Sequence, residues 1–386
     1  MSQPRHLFLI AGEASGDRLG ADLMDGLIAE LGQNVRFSGV GGPLMQARGL
    51  ESLFPMDRLS VMGLTEILPR VPELLRLIRQ TAEAVEHAAP DALITIDSPD
   101  FCLRVARKVR RVRPDLRTIH YVAPSVWAWR PGRAAKMAKV IDHVLALLPF
   151  EPPYMTAAGM TCDFVGHPVV EVPPAPKAAL DDLRRELDLG EGPLLCLLPG
   201  SRAGEVARHG ALFAEVWARL HAQVPGLKGV IPTVPARAEA VQALFADAPG
   251  APLILAEGDD QKKRAAFALA DAALAVSGTV TLEVAAAGTP MVVAYRTSAL
   301  SAFLARRLVK VRYASLVNIL EDAPVIPEYL FDAASASALE GEVLGLLTSP
   351  DARQAQSARF SRVMEQLGRG GLPPGQRAAR SVLSRI

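Results

Sequence analysis

The stretch Leu197-Leu-Pro-Gly-Ser-Arg-Ala-Gly-Glu205 ends an apolar run, Leu194–Leu198, and leads into a helical pattern. A buried strand that stops at Gly200, Ser201 and Arg202 and gives way to a helix is the repeating step of an α/β sheet. A plain turn has use for the glycine but not for the arginine. Glycine lets the backbone approach a ligand closely. Amides at the start of the following helix attract anions. Arginine grips phosphate through a planar fork of donors. Together the three suit a pyrophosphate. Taken alone, they fit an ordinary turn with a solvated arginine equally well.

The same step recurs on both sides. Downstream, Lys228–Ile231, Leu253–Leu255, Ala272–Val276 and Met291–Ala294 read as strands separated by helices. Upstream, Leu7–Ile10, Val35–Val40, Ala92–Ile96, Thr118–Val122 and His143–Leu147 read likewise. Between the first two, Leu19, Leu23, Leu27 and Leu31 line one helical face. Continuous apolar strands fit a parallel sheet covered by helices on both faces. Pro168-Val-Val-Glu-Val-Pro-Pro-Ala-Pro176 breaks the alternation, because its four prolines continue neither a helix nor a central strand. The expectation is two tandem Rossmann-like, doubly wound α/β domains, 1–168 and 169–352. Ligands bind beyond the carboxyl ends of strands in such sheets, so the site is expected in a central cleft that the two domains face.

Composition narrows the function classes. The 386 residues carry a net charge of +1, which gives no global nucleic-acid signal. Charge is uneven, however: eleven Lys or Arg residues lie between Cys102 and Ile141, opposed only by Asp115. Cys102, Cys162 and Cys196 match neither a zinc pattern nor a disulfide framework, and suggest a reducing cytoplasm. The N-terminal apolar run is too short for a signal peptide. No stretch reaches the roughly 18 apolar residues of a spanning helix, so membrane contact is expected to be peripheral. No metal site is expected, because no His/Asp/Glu cluster has ligand spacing, and no cofactor is expected.

Other strand ends supply candidates. Ser277-Gly278-Thr279 precedes a helix that carries Glu283. Ser277 and Thr279 suit phosphate; Thr279 suits an N-cap as well. Glu283 suits the two hydroxyls of a ribose, or simply the helix dipole. After the first strand come Glu13, Ser15 and Asp17, read either as sugar-binding groups or as helix-start residues. Asp97 ends an apolar strand and is read as a general base, whereas Asp100 is read as a helix cap. Trp127, Trp129, Arg130 and Arg133 suit a phosphorylated sugar, though packing explains each ring separately. His167 borders the linker and is read as a hinge. From Val61 to Ile78, apolar residues including Val61, Met62, Leu64, Ile67 and Leu68 mix with Arg70 and Arg76. Packing on the sheet accounts for this pattern, and so does an acyl-chain surface dipping into a bilayer, aided by the basic segment 102–141.

These loops in this order resemble the lipid-A-disaccharide synthase family. The resemblance rests on Ala11-Gly-Glu-Ala-Ser-Gly-Asp17, Val61-Met-Gly63, Ile96-Asp-Ser-Pro-Asp-Phe101, His120 to Arg130, Leu148-Pro-Phe-Glu151, Val165-Gly-His-Pro168, Leu198-Pro-Gly-Ser-Arg202, Ser277-Gly-Thr279 with Glu283, and Ala314-Ser-Leu-Val-Asn318. It implies the two-domain GT-B fold, with UDP held mainly by the second domain. It implies inverting transfer of 2,3-diacylglucosamine from UDP-2,3-diacylglucosamine to the 6-hydroxyl of 2,3-diacylglucosamine 1-phosphate. The products would be a β-1,6 disaccharide 1-phosphate and UDP. Asp97, Arg202 and Asn318 match positions that the family needs for activity. The resemblance also implies peripheral contact with the cytoplasmic face of an anionic inner membrane, and a homodimer. Helices from about 353 to 386 would complete the first domain, exchanged between subunits. Val317 stands where the family usually has proline. Rival readings are a UDP-sugar 2-epimerase, a peptidoglycan-type transferase of the same fold, or a non-enzymatic nucleotide-binding regulator.

Overall fold

The computed structural model describes residues 4–59, 64–129, 132–256, 258–298, 302–303, 307 and 311–386, with the helix backbone but not the side chains at 64–69. Two compact units emerge, Met1–Pro168 with Leu367–Ile386, and Val169–Gln366.

In the first unit the elements run β1 (Arg5–Ala11), α1 (Ala14–Leu31), β2 (Val35–Val40), α2 (Pro43–Gln46), β3 (Glu51–Ser52), α3 (Leu64–Ala88), β4 (Ala92–Ile96), α4 (Pro99–Val112), β5 (Arg117–Tyr121), α5 (Gly132–Met137), β6 (His143–Ala146), α6 (Pro152–Thr156) and β7 (Thr161–Phe164). In the second they run α7 (Lys177–Glu186), β8 (Leu194–Leu198), α8 (Ala203–Gln223), β9 (Lys228–Pro232), α9 (Ala238–Phe245), β10 (Leu253–Leu255), α10 (Asp260–Leu269), β11 (Ala272–Val276), α11 (Val280–Ala286), β12 (Met291–Tyr295), α12 (Leu316–Glu321), β13 (Glu328–Leu330), α13 (Ala336–Thr348) and α14 (Pro350–Gln366). Helix α15 (Pro374–Leu383) belongs to the first unit.

Among the described residues every strand pairing is parallel. The sheet orders are β3-β2-β1-β4-β5-β6-β7 and β10-β9-β8-β11-β12-β13. Strand order thus reverses between β1 and β4, and again between β8 and β11. Doubly wound sheets bind ligands at such reversals.

Strand periodicity explains the layers. On β1, Leu7 and Leu9 feed a core shared with α1 and α15, while Phe8 and Ile10 feed the opposite core against α3 and α4. Alternate residues point to opposite faces, so a strand apolar throughout is buried on both. Helices α1 and α15 touch backbone to backbone: a Cβ on Gly26 would meet the Gly375 carbonyl oxygen at 2.5 Å. On α4, Phe101, Cys102, Val105, Ala106 and Val109 are buried, and Arg104, Arg107, Lys108 and Arg111 are exposed.

The C-terminal return begins at Leu367 rather than near 353. Helix α14 stays with the second unit because its Phe360, Val363 and Met364 are buried there and Ser357 Oγ donates to the Gly288 carbonyl. The proline-rich linker forms a 3-10 turn at Pro168–Glu171 before α7.

Candidate active site

A cavity of about 660 Å³ lies at the strand-order reversal of the second unit. Gly200, Ser201, Arg202, Ser277, Gly278, Thr279 and Glu283 all line it. Two unrelated stretches of sequence therefore meet at one place, because β8 and β11 are neighbours in the sheet. Gly200 adopts φ +120, a region that favours glycine, and a Cβ there would meet Glu205 Cβ at 2.4 Å.

The amides of this turn are already engaged. Glu205 Oε2 accepts from the amides of Ser201 (3.1 Å) and Arg202 (3.2 Å), and Arg202 Nη1 lies 3.1 Å from Glu205 Oε1. Glu205 is the N3 residue of α8 and caps its own helix. The Arg202 side chain is otherwise 69% exposed. Glu283 is likewise met, by Lys263 Nζ at 2.6 Å.

Sequence reasoning missed the rest of the wall. Pro232 ends β9 and Thr233, Val234 and Pro235 follow it, and Ile254, Leu255 and Ala256 come from β10 and its end. Lys262 and Lys263 sit on α10, whose start is capped by Asp259 accepting from the amides of Gln261 and Lys262. The topological order carried the missing signal, since the strands flanking β8 must end at the same rim.

Asn318 does not reach that wall. It is 1% exposed in the first turn of α12. Its Nδ2 donates to the Ile326 carbonyl and to Glu328 Oε1, both at 2.8 Å, and its Oδ1 accepts from the Ile326 amide at 2.8 Å. Val317 precedes it inside the helix start, where proline is tolerated because early amides lack helical partners. The valine therefore needs no unusual backbone at this position.

In the first unit, Asp97 follows β4 and Glu13 follows β1, at the reversal between those two strands. Asp97 and Ser98 both hold left-handed backbone, at φ +50 and +42, and the Asp97 amide donates to the Tyr121 carbonyl. Val122, the residue after β5, stands at φ +83. Positive φ is an outlier for a β-branched residue. Strain of this kind clusters at functional sites.

Asp17, expected among sugar-binding groups, is spent within the fold. It is 3% exposed and accepts from the amides of Gly42, Leu44 and Met45 at 2.9, 3.0 and 3.1 Å. Glu13, not Ser15, is the N-cap of α1, and Ser15 is exposed in the first turn. Asp100 is exposed in the first turn of α4. Trp127 packs edge-on against Phe150 and donates to Glu151, whereas Trp129 is 41% exposed. Arg130, Val61 and Met62 lie outside the described residues, as do the side chains of Leu64, Ile67 and Leu68.

Glu151 is buried after β6. Burial raises its pKa to about 7, even though Leu148 N–H and Trp127 Nε1–H donate to it. Among the described residues no helix is long and apolar enough to cross a membrane, and no group of three His, Cys, Asp or Glu side chains could hold a metal.

The model of the lipid-A-disaccharide synthetase family matches residues 7–374. A lipid-A-disaccharide synthase of Ruegeria pomeroyi is 53% identical, covering 98% of this chain and 95% of its own length. One of Rhodospirillum centenum is 48% identical, over 100% and 95% respectively. Among solved structures, the Staphylococcus aureus MnaA-UDP co-structure superimposes with a TM-score of 0.64 at 12% identity, covering 99% of this chain and 98% of that one. That likeness shows the GT-B fold. The chain belongs to the lipid-A-disaccharide synthetase family and is a glycosyltransferase of lipid A disaccharide synthesis.

Proposed function

We propose that the cavity between the β8 and β11 ends binds the UDP of UDP-2,3-diacylglucosamine, and that the enzyme transfers the sugar with inversion to the 6-hydroxyl of 2,3-diacylglucosamine 1-phosphate. The convergence of the Gly200–Arg202 and Ser277–Glu283 loops on one 660 Å³ cavity carries this reading. The volume suits a nucleotide. The apolar wall at Pro232–Pro235 and Ile254–Leu255 offers the base a dry surface. Glu283, at the other wall, takes the ribose hydroxyls. The Staphylococcus aureus neighbour is a co-structure with UDP, which agrees with this assignment.

Asp97 removes the proton of the acceptor hydroxyl as that oxygen attacks the anomeric carbon. Negative charge gathers on the leaving UDP. The Arg202 guanidinium and the amides of both loops stabilise it, the diphosphate displacing Glu205 from Ser201 and Arg202. Donors of this kind each lower the barrier by about 3 kcal/mol. Glu13, Ser15, Trp129 and Arg130 form the acceptor side. The membrane contact is assigned to Val61, Met62, Leu64, Ile67 and Leu68 by sequence, and α3 and α4 add exposed Val71 and Leu75 and a basic face. This arrangement suits a peripheral protein on the cytoplasmic face of an anionic inner membrane, working as a homodimer.

A UDP-release assay with acylated and non-acylated donors tests the substrate assignment. Turnover is expected with the diacyl donor and the diacyl 1-phosphate acceptor together. Equal use of UDP-N-acetylglucosamine would turn the reading towards a 2-epimerase or peptidoglycan-type enzyme. Absence of product with both lipids present would favour a nucleotide-binding regulator. Turnover is expected to survive EDTA.

A further inference from the structure

We propose that Asn318 and Glu328 are positioning residues that act on the nucleotide cavity through the Ala314–Ser315 backbone, without touching the ligand. The inference rests on the reading of that cavity as the UDP site.

An asparagine side chain has two N–H donors. Those of Asn318 are both consumed inside the fold, on the Ile326 carbonyl and Glu328 Oε1, and the side chain is sealed from solvent. No donor is left for a phosphate or a sugar. What Asn318 does instead is fix a carboxylate. Glu328 Oε1 also accepts from the Ser315 amide at 2.7 Å, and Glu328 Oε2 accepts from the Ala314 amide at 2.8 Å. Hydrogen bonds to an ionised acceptor are the strong ones. Glu328 sits at the start of β13, which pairs with β12, so the carboxylate is held by the sheet.

The clamp reaches the cavity in one further step. The Ala314 carbonyl accepts from Ser277 Oγ at 3.2 Å, and Ser277 lines the cavity. With its proton directed at Ala314, Ser277 Oγ keeps its lone pairs for a donor on the nucleoside, such as a hydroxyl, and the phosphates are left to the amides of the loop. The same loop leads into α12, whose start Ser315 caps by accepting from the Asn318 amide. Asn318, Glu328, Ala314 and Ser277 thus form one hydrogen-bonded chain from a sealed core position to the nucleotide wall.

A double-mutant cycle tests the chain. UDP affinity is measured by calorimetry on full-length wild type, Ser277→Ala, Asn318→Ala, Glu328→Gln, and the two doubles with Ser277→Ala. Donor KM and kcat are measured in parallel. Asn318→Ala and Glu328→Gln are each expected to weaken UDP about tenfold and to raise donor KM more than they lower kcat. In the Ser277→Ala background either change should cost less than about twofold. Should Asn318→Ala prove unable to fold, the near-isosteric Glu328→Gln carries the cycle. Full additivity, or a fall in kcat with UDP affinity unchanged, overturns the proposal and returns Asn318 to direct contact with substrate. A wild-type chain that does not bind UDP at all overturns the cavity assignment itself, and this inference with it.

Discussion

At the β4 and β5 ends of the first unit, Asp97, Ser98 and Val122 take positive φ with full side chains. At the β8 end of the second unit, the turn passes positive φ through Gly200 and is closed by Glu205. The β4 and β8 ends each lie at a reversal of strand order. The first turn stores strain of about 1 kcal/mol or more per residue and so aims one side chain. The second relaxes that strain with glycine and gathers backbone amides instead, held by Glu205. A reacting group needs aim, while a diphosphate needs a surface of donors. The difference between the turns matches the division of labour proposed for the two units.

The sharpest way to break this contrast is Asp97→Asn. Asparagine tolerates left-handed backbone, so the turn is kept and only the base is lost. Turnover is expected to fall by about 10³-fold, with UDP affinity within about twofold of wild type. Near-normal turnover would remove Asp97 from the chemistry and leave its strained backbone without a purpose.

Asp17 comes next. It shares the strand-order reversal with Asp97 by sequence position but spends its carboxylate on three amides. Asp17→Ala leaves the buried amides of Gly42 and Met45 unpaired, and should cost about 3 kcal/mol in urea unfolding. Lost turnover with stability unchanged would restore Asp17 to the ligand-binding acids.

This pair of aspartates shows where the sequence was legible. The runs Ala92–Ile96 and Leu194–Leu198 are apolar on both faces, and each forms a strand with those bounds. Three strands escaped: Glu51–Ser52, Thr161–Phe164 and Glu328–Leu330. All are edge strands, short and only part-buried, so no apolar run marks them. The two phosphate-type loops were legible because Gly, Ser and Arg after a buried strand carry chemistry in their type. Lys263, Thr233 and Leu255 were not, since a lysine on a helix and an apolar strand end look the same wherever they point. Asn318 was found by resemblance, but its burial depends on Ile326 and Glu328, which no local pattern announces. Asp17 and Asp97 differ in the same way: each follows a strand, and only the packing of Gly42–Met45 decides that the first is spent.

Acidity sharpens the comparison in the first unit. Glu151 ties the loop after β6 to Trp127 in the loop after β5, and burial raises its pKa to about 7 from an ordinary 4.5. The unfolded chain sheds this proton near pH 4.5 and the folded chain holds it to about 7. Between those values the folded state binds more protons, so stability falls as pH rises. His120, His143 and His167, kept neutral by burial down to about pH 4, pull the other way below pH 6.5. The difference between wild type and Glu151→Gln therefore isolates the carboxyl. It should favour the variant progressively from pH 5 to pH 7.5, by about 2 kcal/mol in urea unfolding. A difference independent of pH would mean that Glu151 is ionised throughout.

The smallest expected effect bears on the second turn. Glu205→Ala removes the carboxylate that occupies the Ser201 and Arg202 amides. Loss of this cap should lower stability by about 1 kcal/mol. If the diphosphate takes the same amides, UDP no longer has to displace a charged competitor in the variant. The rise in melting temperature caused by saturating UDP should then be larger in the variant than in wild type. An equal or smaller rise would mean that the ligand leaves these amides to Glu205. In that case the second unit would hold the diphosphate through Arg202 and the Ser277–Thr279 loop, and the contrast with the strained turn of the first unit would rest on β11 instead of β8.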